Sequence, residues 1–288
     1  MNKAKLVSII TPCYNAEEFL REYLLSVADQ TYRPLELIVV NDGSTDNSEK
    51  VFRDVEPFLN RAGVSTVYKK IEHSGQAEAT NTGLKLFKGD YLAWADADDI
   101  LKPQNIEKKV AFLEKNPEIG MVRNDACRLK NGELSERESK DDDRKTQYLF
   151  EKLFLETTYV FAGCYMIRRS LFEECYPDFN IPCSKEGQNL QLLLPPASRT
   201  ECGFVDEVLM IYRIHNDSHS NHSRSVREFL ERINGFERLY MDLKPYCKYD
   251  CESYDKLLEK CVSSMRKSIF TGLSNNYKQS RNTRGDKK

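Results

Sequence analysis

The stretch VSIITPCYNAEEFLREYLLSVADQTYRPLELIVVNDGSTDNS, residues 7–48, decides the fold. Its apolar, β-branched start, Leu6–Thr11, reads as a buried strand. From Ala16 to Ala28 the period changes. Phe19, Leu20, Tyr23, Leu24 and Val27 recur at helical spacing. Leu35–Val40, LELIVV, is a second buried strand, and Asp46–Leu59 a second helix with Ser44, Thr45 and Asp46 as candidate N-caps.

The alternation continues downstream. Val64–Ile71 reads as a strand, Gln76–Phe87 as a helix that Gly89 ends, and Tyr91–Ala95 as a fourth strand. Pro103 opens the next helix. This βαβαβαβα order predicts an α/β fold, mainly parallel, with helices on both faces of the sheet. The polar run Asn131–Lys145 reads as a solvated loop. A short helix near Tyr148–Leu155, a strand near Thr158–Ile167 and a helix from Ser170 come next. From Ser223 to about Phe270 the pattern is helical, with Val226, Leu230, Ile233 and Tyr240 along one face, and Arg281–Lys288 form a frayed basic tail. The expected organisation is one α/β domain over 1–222, with halves at 1–120 and 121–222, and a helical extension over 223–288.

With 288 residues, 40% apolar and 31% charged, the chain can bury a full-sized core. A formal charge of −2, with the two signs mixed along the chain, gives no footprint for nucleic acid. No apolar run approaches the roughly 18 residues of a membrane span, and Leu6–Ile10 is too short for a signal-peptide core. The expected location is cytoplasmic, with a peripheral place at the inner face of the membrane left open. The nine cysteines lack paired CxxC spacing and read mostly as small buried side chains.

Ligands of parallel α/β sheets bind beyond the C-terminal ends of the strands. Here those ends read Thr11-Pro12-Cys13-Tyr14-Asn15, Asn41-Asp42-Gly43-Ser44-Thr45-Asp46, His73-Ser74-Gly75-Gln76 and Asp96-Ala97-Asp98-Asp99. Three carboxylates within four residues, directly after an apolar strand, repel one another unless something cationic neutralises them. A divalent metal on a diphosphate would do so, because hard carboxylate oxygens suit Mg²⁺ or Mn²⁺. The competing reading is a helix N-cap, which needs one acid rather than three. Asp42, taken alone, reads as the first residue of an Asp-Gly turn.

Together these segments resemble the N-terminal signature of the family 2 inverting glycosyltransferases, which have the GT-A fold. YLAWADADD matches that family's DxD metal site, and HSGQAEATNTGL the segment between. The resemblance spans roughly residues 5–220 and is densest through residue 115. It implies a nucleotide-diphosphate sugar donor, UDP-sugar by default, and a glycan or lipid-linked glycan acceptor. By the same resemblance Thr11, Pro12, Tyr14 and Asn15 line the nucleoside, Asp42 contacts the base, and Gly75 and Asn81 belong to the donor-binding segment. Asp96 contacts ribose or sugar, and Asp98 holds Mn²⁺ or Mg²⁺. His215, in YRIHNDSHS, approaches the metal or diphosphate, whereas His219 and His222 read as surface histidines.

Two departures stand out. Thr80 replaces an arginine common in the family. Where inverting members carry Glu-Asp, with the Asp as general base, this chain has Gln188-Asn189, and an amide cannot take a proton. Glu186, three residues earlier, is the substitute candidate base, with Gln188 and Asn189 hydrogen-bonding acceptor or donor sugar. Two other classes stay open. A binding protein that keeps the donor pocket without catalysis would explain Asn189. A sugar-1-phosphate nucleotidyltransferase would need a glycine-rich, arginine-bearing loop after the first strand, and Thr11–Asn15 has neither residue.

Overall fold

The computed structural model describes residues 4–187, 189–215 and 225–267. The basic tail, Gln188, His219 and His222 lie outside the described residues. The first half follows the expected alternation: β1 (Val7–Cys13), α1 (Leu20–Ala28), β2 (Leu35–Asp42), α2 (Ser48–Arg61), β3 (Val64–Ile71), α3 (Gln76–Leu84) and β4 (Tyr91–Trp94). These strands pair in parallel in the order β3-β2-β1-β4. All eight residues of β2 are buried, which is why its sequence is a continuous apolar run rather than an alternating one. α1 turns Leu20, Tyr23, Leu24 and Val27 inward, and α2 turns Phe52, Val55 and Leu59 inward.

The second half comprises β5 (Ile100–Leu101), α4 (Asn105–Lys115), β6 (Met121–Lys130), β7 (Glu133–Arg137), α5 (Asp141–Lys145), α6 (Phe150–Phe154), β8 (Tyr165–Arg168), α7 (Arg169–Cys175), α8 (Leu190–Ala197), β9 (Cys202–Ile214) and α9 (Val226–Leu243). It extends the sheet with mixed pairing. β8 runs antiparallel to β4 and β6, β9 parallel to β6, and β5 antiparallel to β9. The sheet is therefore mixed α/β, parallel where it carries the first four strand ends and antiparallel where the second half joins.

Several expectations need correction. The run Asn131–Lys145 is not a plain loop. Asn131 and Gly132 have φ of 53° and 82° and form a tight turn between β6 and β7, and α5 comes after β7. β7 is exposed along its length, so its polar sequence hides an edge strand. The strand expected at Thr158–Ile167 is confined to β8, behind a 3₁₀ turn at Ala162–Cys164. α3 stops at Leu84 rather than Phe87. The C-terminal helical stretch breaks at Lys244–Tyr246, where Pro245 cannot continue α9, and resumes over 251–267.

One apolar cluster runs from Val7 to Val262, so residues after 222 share the core of those before. Tyr240 of α9 stacks on Phe154 at 4.3 Å and donates to its carbonyl at 2.8 Å. Six of the nine cysteines are buried as free thiols. Among the described residues no helix is long and apolar enough to cross a membrane.

α3 can lie flat on β1 because Gly83 has no side chain. A Cβ there would stand 2.5 Å from Cγ2 of Ile10, itself 1% exposed. Gly83→Ala should therefore overpack the β1–α3 contact and cost about 1–3 kcal/mol. In thermal unfolding this lowers Tm by roughly 2–12 °C; an unchanged Tm would show that Ile10 yields freely.

Candidate functional site

The sheet register builds the site. Cys13 lies beside Asn41, and Ile10 beside Trp94, so the segments after β1, β2 and β4 emerge along one edge. Asp42, 2% exposed, clamps the loop after β3: its Oδ1 accepts from Ser74 N at 2.7 Å and its Oδ2 from Gly75 N at 2.9 Å. His73 Nδ1 lies 3.0 Å from the same carboxylate. Gly75 takes φ of 94°, a conformation that favours glycine, and its amide is thereby presented to Asp42. The clamp sets His73 under Tyr14, ring on ring, with centroids 4.1 Å apart. Tyr14 is 47% exposed, so this stack faces outward at the mouth of the strand ends.

Asn15 ties the first two segments together. Its φ of 47° aims its Oδ1 at Thr45 N, which donates at 2.8 Å, while its own N–H donates to Ser44 Oγ at 3.0 Å. Asp46 locks the same corner by accepting from Glu17 N and Ser48 N, each at 2.9 Å. Burial works to raise the Asp46 carboxyl, but the Ser48 hydroxyl and these amides outweigh it and hold its pKa below the usual value.

The acids after β4 form the polar centre. Burial, reinforced by the charge of Asp98, pushes Asp96 up to about 7 despite a hydrogen bond from Gln76 Nε2 at 3.1 Å. Burial and the charges of Asp96 and Asp98 raise Asp99 well above its ordinary value. Asp99 Oδ1 accepts from Arg213 N at 3.0 Å, whereas its buried Oδ2 has no hydrogen-bond partner among the described residues. Asp98 is partly open, and its Oδ2 lies 2.9 Å from Nε2 of His215. Arg213 also donates through Nε to the Asp98 carbonyl at 3.0 Å and pairs with Glu22. Among the described residues no three His, Cys, Asp or Glu side chains converge as a ready-made metal cage. The open Asp98–His215 pair still fits a hard cation whose remaining ligands are phosphate and water, the usual arrangement for Mg²⁺.

The other predicted residues are placed differently. Thr11 is fully buried, with its hydroxyl against that of Tyr23. Pro12 is half-buried beside it. Asn81 is wholly buried, and its amide is used by the Ile181 backbone, with Nδ2 to the carbonyl at 3.0 Å and Oδ1 from the N–H at 2.8 Å. That is a brace between the halves, not a donor contact. Glu186 faces α9, where it pairs with Arg232 at 3.5 Å and packs on Gly235. Asn189 stands at the start of α8, against the end of β4. Its Oδ1 accepts from Trp94 Nε1 at 3.0 Å, two residues before Asp96, and its Nδ2 donates to the Val160 carbonyl at 2.9 Å. Four participants were given no role in the sequence reading: His73, Gln76, Arg213 and Trp94. Arg213 lies two residues before His215 in the quoted segment, and that proximity was the available signal.

Residues 8–176 match the family model described as glycosyl transferase family 2. An uncharacterised glycosyltransferase of Haemophilus influenzae is 42% identical over 119 residues, 41% of this chain and 36% of that protein. The glycosyltransferase GlyA of Streptococcus pneumoniae is 34% identical over 117 residues, 40% of this chain but 16% of its own. The match thus spans little more than a third of the first relative's length. Staphylococcus aureus TarS 1–349, solved with UDP-GlcNAc, superposes with a TM-score of 0.66 at 18% identity, over 89% of this chain and 71% of that one. The mannosyltransferase PcManGT of Pyrobaculum calidifontis, solved with GDP-Man and Mn²⁺, gives 0.62 at 15% identity, over 95% and 76%. These two likenesses establish a shared GT-A fold. With more than half of its length matched by the family model, the chain belongs to glycosyl transferase family 2.

Proposed function

We propose that the protein transfers a sugar from a nucleotide-diphosphate donor, UDP-sugar by default, to an acceptor hydroxyl with inversion at the anomeric carbon. The observation that carries this reading is the acidic centre after β4, where one buried oxygen of Asp99 is unpartnered among the described residues and Asp98 lies 2.9 Å from His215. In this reading Asp98 and His215 hold Mn²⁺ or Mg²⁺, which when bound neutralises charge on the diphosphate leaving group. The outward Tyr14–His73 stack offers an aromatic face to the base, and the Asp42 clamp keeps that stack in place. Asp96, held by Gln76, faces the ribose or the sugar.

The proton acceptor proposed for the attacking hydroxyl is Glu186. Its support is its place at the entrance to α8, three residues before Asn189; against it stands its pairing with Arg232. A donor-binding protein without transfer is the second reading, favoured by the full use of the Asn189 amide in the fold.

Three outcomes test this. Isothermal calorimetry should show UDP-sugar affinity falling at least about tenfold, or 1.4 kcal/mol, when EDTA replaces Mn²⁺. Asp98→Ala should show the same loss with Mn²⁺ present, and equal affinity with EDTA and with Mn²⁺ would sink the metal assignment. Asp42→Ala frees the loop amides and should weaken UDP binding by about 1–3 kcal/mol; unchanged affinity would leave Asp42 with no part in nucleotide binding. Glu186→Gln keeps size and removes proton affinity, so turnover should drop about 10²–10⁴-fold with donor affinity unchanged. Turnover equal to the parent's would assign Glu186 to the α9 contact alone.

A further inference from the structure

His215 lies one residue beyond the end of β9, past the last pair of the β6–β9 ladder, Lys130 with Ile214. The sheet therefore does not by itself aim the imidazole. Its ring meets that of Phe19, with centroids 4.5 Å apart and planes at 33°. Phe19 occupies the N-cap position of α1, where side chains that accept from the helix amides are favoured and an aromatic ring offers no such oxygen. It is half-buried, and the apolar cluster of the described residues does not include it. Neither helix capping nor core packing thus accounts for an aromatic residue at this place.

A second group meets the same ring. The Arg213 guanidinium stands 5.2 Å from its centroid, in range of a cation–π attraction. Positions 213 and 215 are two apart, the spacing of one face of a strand, and Phe19 touches both. Arg213 is held twice: its Nε donates to the Asp98 carbonyl at 3.0 Å, and it pairs with Glu22, three residues after Phe19 on α1. The backbone before Phe19 is tied down as well. Phe19 N donates to the Ala16 carbonyl at 3.0 Å, and Ala16 N to Ser48 Oγ of α2 at 2.9 Å. The imidazole therefore rests on a ring whose backbone is anchored and whose second neighbour is a fixed guanidinium. A histidine holds a cation well only when its ring is aimed, since rotation about its two side-chain torsions carries Nε2 off the ligand position. Groups that orient a ligating imidazole are worth about 10–100-fold in metal affinity.

We infer that Phe19 is a positioning residue for the cation site: its ring, packed on the His215 imidazole, holds Nε2 toward Asp98 Oδ2 and so sets the affinity for Mn²⁺ or Mg²⁺. This rests on the reading of Asp98 and His215 as the cation's ligands. The ring donates nothing to the metal. It brings the start of the first helix, far from the acids in sequence, into the set of residues on which metal affinity depends.

The test is an electron paramagnetic resonance titration of the full chain with Mn²⁺ in the presence of UDP, which reads bound metal without turnover. Phe19→Leu keeps an apolar side chain without a flat face and should weaken Mn²⁺ binding about tenfold. Phe19→Tyr keeps the ring and should bind Mn²⁺ as the parent does. His215→Ala should also weaken binding, and adding Phe19→Leu to it should cost nothing more, because the ring acts through the imidazole. A general loosening of α1 would instead add to the His215→Ala loss. Where a thermal melt shows Phe19→Leu unfolded, Phe19→Met, flexible enough to fill the space, replaces it with the same expected loss. The inference is overturned if the folded Leu or Met variant or His215→Ala binds Mn²⁺ like the parent, if Phe19→Tyr loses as much as Phe19→Leu, or if the losses add in the double variant. A parent that binds no Mn²⁺, or binds it equally well as Asp98→Ala, brings down the metal reading and this inference with it. Asp98-dependent binding that the Phe19 variants leave unchanged brings down this inference alone.

Discussion

Like charges at the end of a buried strand are the constraint around which this protein is arranged. β4 delivers Asp96, Asp98 and Asp99 into a largely dry setting, where a carboxylate loses hydration and gains a repelling neighbour. Nothing in β1 or β2 supplies a cation against them. The chain instead sends β9 back along β6 and β5, so that the Arg213 amide and guanidinium and the His215 imidazole arrive at those acids. Glu22 of α1 then holds the guanidinium from the far side. The mixed half of the sheet is thus the means by which the acidic centre is held together.

A second buried acid solves a different problem. Asp42 meets two backbone amides of the loop after β3 and the His73 imidazole. A buried carboxylate with both oxygens bonded stabilises the fold, and removing it would leave two donors unpaired. The consequence reaches the surface, because the loop it fixes carries His73 and so the stack under Tyr14. Of the three acids that sequence analysis read as ligand contacts, Asp42 and Asp98 thus differ in physical role. Asp42 clamps the loop that carries His73, whereas the Asp98 side chain is open enough to meet a ligand itself.

The legible parts of the sequence were those whose partners lie close along the chain. β1 to β4 are short apolar runs separated by amphipathic helices, and periodicity finds them within a residue or three. β6 went unread because it breaks the rule that buried means apolar, and β9 because most of it is only partly buried and gives no continuous apolar run. Arg123, Asn124 and Asp125 are all fully buried in β6. Arg123 donates to Thr158 and to the Asp143 carbonyl, and Asp125 accepts from Ser139 and Arg137, partners no local window contains. The Asn131-Gly132 turn was a readable hairpin signal, hidden by the charged residues of β7 and α5. In the site the acids were legible from clustering alone. The bracing role of Asn81 was not, because Ile181 lies 100 residues away.

Asn189 shows why a residue at an expected catalytic position need not be a damaged one. Its oxygen accepts from the Trp94 indole and its nitrogen donates to Val160, so both ends of the amide are matched. An aspartate could keep the first bond. It would then set a carboxylate oxygen against the Val160 carbonyl, two acceptors with no proton between them. The surroundings of this site therefore select an amide. Trp94, 4% exposed and two residues before Asp96, is pinned at the start of α8 by that amide, which sets the end of β4 relative to the helix. Any proton acceptor for transfer has to stand elsewhere, and position 189 acts by fixing the distance between the acidic centre and the wall of the second half.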